Sequence, residues 1–116
     1  MAKALMVVGS NPADPAQEAA FNEWYTETHL DDVLAVAGFH AARRYNLSDV
    51  RPMAGTEASP FNYLAVYEIE SDDLAQTGRD LQAALDSGAI PLSDTFDLTN
   101  FSVDFYALLP DSERTA

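Results

Sequence analysis

Two helix starts and two glycine stops divide this chain, and that division leaves few folds open. Asp14-Pro15 offers an N-cap followed by a first helical residue that needs no amide proton, with Gln17 placed to reach back as in a capping box, and Gly38 supplies a stop. Ser71-Asp72-Asp73 opens a second helix, whose inner face is Leu74, Leu81 and Leu85 and whose stop is Gly88. The remaining apolar runs read as strands at residues 3–8, 39–47, 61–70 and 101–109, the third of them dense in Tyr, Val and Ile. The order is therefore strand, helix, strand, strand, helix, strand. It predicts a ferredoxin-like βαββαβ fold of the α+β class: a four-stranded antiparallel sheet with both helices on one face. Residues 1–110 are expected to form one domain and residues 111–116 a flexible tail.

Inside the first helix, periodicity runs through Ala20, Phe21, Trp24, Tyr25 and Thr28, then resumes with Val33, Leu34 and Ala37. Asp31 or Asp32 is placed to cap a second helical piece, so a kink is expected near His29. Residues 48–60 lack apolar periodicity and read as a long surface loop, while residues 89–100 read as a connection with one helical turn at 93–98. In the second strand the odd positions Phe39, Ala41, Arg43, Tyr45 and Leu47 are expected on one face. Arg43 and Arg44 must then point to opposite sides, and alternation alone leaves open which of them faces a cleft.

Charge narrows the partners. With 19 acidic residues against 6 basic ones the formal charge is −13, which repels nucleic-acid backbones and anionic membranes. There is no Cys for a disulfide, a thiol nucleophile or a thiolate metal site, and the two His show no metal-ligand spacing. No apolar run is long enough to span a bilayer and no signal-peptide pattern opens the chain, so a cytoplasmic protein is expected. Phosphate loops, nucleophile elbows and HExxH helices are absent as motifs.

The chemistry-bearing groups gather in residues 21–45, which hold the only Trp, both His and two of the six basic residues. Trp24, Tyr25, Thr28 and His29 are three and four apart, which sets an imidazole and a phenol on one helix face. An imidazole can give and take a proton at neutral pH, so His29 is the expected general acid or base, with Tyr25 an assisting donor. One of Arg43 or Arg44 is expected to clamp an oxyanion. Trp24, Tyr45, Tyr67, Phe96 and Tyr106 are the expected apolar walls, and His40 is expected on the sheet surface.

The segment NEWYTETHLDDVLAVAGFHAARRY resembles the corresponding stretch of dimeric α+β barrel proteins, in particular the EthD-like branch. In that family a Trp-Tyr pair precedes a His by four residues, an Asp follows, and Gly-Phe leads into a basic strand. Trp24, Tyr25, His29, Asp32, Gly38, Phe39, Arg43, Arg44 and Tyr45 stand in those places, and Asp31 stands where relatives commonly have Pro. The sheet face left uncovered by the helices is expected to be apolar enough to call for a two-fold homodimer built through it, and the resemblance adds Asp32 to the substrate-binding set. It also implies a cofactor-independent lyase, cyclase or isomerase acting on a small hydrophobic or aromatic carbonyl-bearing metabolite, bound between the first helix and the sheet. Two other readings stand beside it: a cofactor-free monooxygenase, and a non-catalytic ligand-binding or stress-associated homodimer.

Overall fold

The computed structural model describes residues 2–116. Strand β1 (Ala2–Ser10) leads through a 3-10 turn (Pro15–Gln17) into α1 (Glu18–Trp24), a π-helical turn (Tyr25–His29) and α2 (Leu30–Leu34). Strands β2 (Phe39–Asn46) and β3 (Tyr63–Ser71), helix α3 (Leu74–Asp86) and strand β4 (Ser102–Ala107) complete the order. The sheet runs β2-β3-β1-β4 with every pair antiparallel, the ferredoxin-like arrangement that the element order demands. No helix among the described residues is long and apolar enough to cross a membrane.

The helix starts behave as their chemistry dictates. Asp14 Oδ1 accepts from the Ala16 N–H at 2.9 Å with Pro15 at the first position, although Gln17 contributes only its backbone N–H, to Asp14 O. Asp73 Oδ1 accepts from the Gln76 N–H at 3.1 Å and so caps α3. Gly38 closes the first helical segment at φ +92°, and a Cβ there would stand 3.1 Å from Glu70 O, whose own N–H donates to Gly38 O at 2.9 Å. Gly38→Ala should therefore cost about 2 kcal/mol from left-handed strain plus crowding. Chemical denaturation checks this; an unchanged midpoint would mean that the turn relaxes freely.

Register sorts the strand residues onto two faces. Met6, Val8 and Ser10 of β1 and Tyr63, Ala65, Tyr67 and Ile69 of β3 are buried beneath the helices, where Phe21, Tyr25, Val33 and Val36 cover them. In β2 the expected alternation is broken by a bulge between Phe39 and Ala41. Phe39 is consequently buried with the core, while Arg44, paired in register with Ala65, joins the helix-covered face in place of its odd-numbered neighbours. Arg43 lies on the open face, where it donates to Glu68 Oε2 at 2.9 Å in an exposed ion pair.

The connection 87–101 contains no helical turn. It is a set of turns pinned to the start of the first helical segment by the Pro12 to Phe96 bridge, by the Ala13 N–H donating to Thr95 O at 2.7 Å and by the Asp97 N–H donating to Asn11 O. Phe96 and Ile90 are thereby fixed as buried lids over one side of the core.

Candidate functional site

Phe21, Tyr25, His29 and Val33 are all buried and succeed one another at intervals of four. In a regular α-helix such a series drifts by about 40° at each step, because four residues overshoot one turn. The π-helical turn takes up that drift: the Leu30 N–H bonds to Tyr25 O, five residues back, and the widened turn keeps all four side chains in line. Thr28 is rotated out to solvent by the same geometry. Neither Asp31 nor Asp32 caps a new helix, since His29 is continuous with α2 and carries no side-chain cap. π turns concentrate at functional sites, and this one aims a phenol and an imidazole inward.

They point toward a cavity of about 150 Å3 between the helices and the sheet. Its walls are apolar side chains of β1, α2, α3, β4 and the 87–101 connection, with three polar residues among them: Tyr25, His29 and Tyr67. Each of the three carries a buried atom with no hydrogen-bond partner, namely Tyr25 Oη, His29 Nδ1 and Tyr67 Oη. The two phenol oxygens lie close enough to each other, and that of Tyr25 to Ser10, to interact, but no hydrogen bond of regular geometry joins them. Buried polar atoms without partners are rare in folded proteins because each forfeits its hydration. Three of them belong to residues that line this one small cavity.

Electrostatics set their protonation. Burial pushes the His29 imidazole down to about 4, opposed by the field of Asp32 and assisted by that of Arg44, so at neutral pH it is an uncharged acceptor. Burial also raises the Tyr25 phenol to about 12 and the Tyr67 phenol further, so both remain donors. Trp24 stacks on the His29 ring at 4.6 Å and Tyr25 meets it edge-on at 4.8 Å, which fixes the imidazole plane.

Arg44 sits beside the cavity without lining it. Its guanidinium lies 4.4 Å from the Tyr25 ring centroid and donates to Asn22 Oδ1 and Thr26 Oγ1, each at 3.0 Å. Among the described residues no carboxylate pairs with it, so it exerts an uncompensated positive field on the phenols. Phe96 lines the cavity, as the sequence suggests, and Tyr67 forms its floor.

Several expected members stand elsewhere. Tyr45, Tyr106 and Arg43 belong to the open face of the sheet, because register gives Tyr45 to Leu64, Tyr106 to Leu5 and Arg43 to Val66. Trp24 backs the His29 ring rather than forming a wall, and Asp32 borders a shallow cleft against α3. His40 is exposed at the bulge, as expected of it. Met6, Val33, Leu81, Leu85 and Ile90 are walls that the motif did not single out; for Leu81 and Leu85 the inner-face periodicity of α3 was the available signal. A wider depression of about 520 Å3 on the open face holds Lys3, His40, Glu68 and Glu70. None of its residues carries a buried unpartnered atom. Among the described residues no cluster of three or more His, Asp or Glu is placed to hold a metal ion.

No protein-family model matches the sequence, and no curated protein matches it. Solved structures do. An EthD (ethyl tert-butyl ether D) family protein from Bacillus halodurans superposes with a TM-score of 0.56 at 17% identity, covering 94% of this chain and 100% of that one. HapK from Hahella chejuensis gives 0.58 at 14% identity, over 97% and 98% of the two chains. A candidate monooxygenase from Shewanella loihica gives 0.55 at 16% identity, over 93% and 95%. The chain thus has the ferredoxin-like α+β fold of the EthD-like proteins, and at these identities the likeness is one of fold.

Proposed function

We propose that the cavity binds a small, flat, largely apolar molecule bearing a carbonyl or hydroxyl oxygen, and that His29 exchanges a proton with it in a cofactor-independent lyase, cyclase or isomerase reaction. The observation that carries this reading is the convergence of three unpartnered buried polar atoms on one cavity. Tyr25 and Tyr67 donate to the substrate oxygen, and the neutral imidazole accepts the proton from the neighbouring carbon or hydroxyl. The electron pair left behind moves onto the oxygen, where the two phenols stabilise the oxyanion in a site with little water. Returning the proton to a different atom completes an isomerisation; expelling a leaving group or closing a ring completes a lyase or cyclase reaction. A base this weak suits an acidic C–H or O–H, because the oxyanion formed beside it also stabilises the imidazolium.

The candidate monooxygenase among the structural neighbours supports a second reading, in which the same carbanion reacts with oxygen. Oxygen uptake in step with substrate loss would select it; turnover unchanged under nitrogen would discard it. Leu5, Tyr45, Leu64 and Tyr106 leave the open sheet face apolar and exposed, which supports a homodimer through that face. Sedimentation of the wild type against Tyr106→Glu reads this directly.

The test of the site is Tyr67→Phe. Removing a wholly buried hydroxyl that bonds nothing should stabilise the protein by about 1 kcal/mol. The same change should weaken binding of phenol or a small aromatic ketone on the order of tenfold, as one donor is lost. Destabilisation with unaltered affinity would show that the hydroxyl is structural.

A further inference from the structure

The cavity has a polarity of its own. Its three polar residues are at the buried end, where Tyr67 is 0% and Tyr25 1% exposed, whereas Leu92, Leu98, Phe101 and Val103, which line the same cavity, are 42 to 56% exposed. Apolar side chains of that size are rarely left together at the surface without an occupant. They lie on the helix-covered side of the sheet and on the 87–101 connection, so a partner packed on the opposite sheet face would not cover them. An empty apolar cavity of about 150 Å3 accommodates a molecule the size of benzene. A ring that places its oxygen against Tyr25, His29 and Tyr67 would therefore fill the interior, and any substituent opposite the oxygen would emerge over the exposed leucines.

We propose that the ligand is a ring-sized polar head with an apolar tail: the head enters first, and the tail lies along the strip formed by Leu92, Leu98 and Phe101. The proposal rests on the ligand-binding reading given above and narrows it to alkyl- or aryl-extended phenols and ketones, as opposed to small polar acids or sugars. The continuity of strip and cavity, made by the same residues, is what commits the strip to a ligand tail. A polar ligand gains nothing there, because desolvating its groups against leucine is unfavourable.

The experiment is a series of phenol, 4-ethylphenol, 4-butylphenol and 4-hexylphenol, with dissociation constants from calorimetry for the wild type and for Leu98→Ser and Leu92→Ser. Affinity should rise about two- to fourfold for each methylene added, the upper value being that of full burial. Both serine variants should flatten the slope. Phenol that binds while the slope is flat in the wild type would overturn the tail strip and leave the head site standing. Failure of every member to bind would overturn the ligand-binding reading itself. Were the serine variants instead to change the oligomeric state, the strip would be a protein contact and the proposal would fall.

Discussion

Taking the protein from pH 7 to pH 4 should cost about 3 kcal/mol of stability through His29 alone. The imidazole titrates near 6.5 in the unfolded chain and is held down to about 4 by burial in the native one. Between those values the unfolded state binds a proton that the folded state refuses, so stability falls as the pH falls through that window. The contribution is fully present above about 6.5 and exhausted near 4. A gap of roughly 2.5 units at 1.36 kcal/mol each gives the magnitude. The many carboxylates add their own acid dependence, so the measurement is the difference between wild type and His29→Phe in urea denaturation across that range. Phe cannot take up the proton, and its curve should lack this component. Parallel curves would mean that His29 is solvated in both states.

His29→Ala should lower turnover of any substrate found for this cavity by about 10²–10⁴, the usual contribution of a positioned general base. Stability should change little, in contrast to the large loss that a structural histidine would show. The ring packs between Trp24 and Tyr25, but its Nδ1 bonds nothing, so truncation loses packing while removing an unsatisfied polar atom. The two effects oppose each other, and the melting temperature should change by only a few degrees. Loss of folding together with loss of activity would assign His29 to the core.

Much of this arrangement was legible in the chain, for reasons that were local. Asp14-Pro15, Gly38, Asp73 and Gly88 act through their own backbone and nearest amides, and they placed the helices correctly. The inward pairing of Tyr25 with His29 follows from their spacing. What the sequence hid is non-local. Nothing in Phe39-His40-Ala41-Ala42 announces the bulge that shifts β2 by one residue, and that shift decides that Arg44, not Arg43, lies under the helix. Tyr45 and Tyr106 were misplaced for a related reason: with apolar residues on both faces of the sheet, alternation cannot say which face is covered. The single helical turn expected at 93–98 is replaced by turns because the anchors of this connection, Asn11, Pro12 and Ala13, are some eighty residues away in sequence. The π turn is foreshadowed only by the run of four-residue intervals from Phe21 to Val33, which no straight helix could bury along one line.

The central claim is that Tyr25, His29 and Tyr67 present their unpaired atoms to a ligand. Imidazole nitrogen NMR of His29 during a phenol titration tests it most directly. The His29 signal should shift and saturate with the dissociation constant found by calorimetry, and Tyr67→Phe should move that midpoint to higher phenol by about tenfold. A His29 signal that stays fixed while phenol binds, with a midpoint indifferent to Tyr67→Phe, would contradict it.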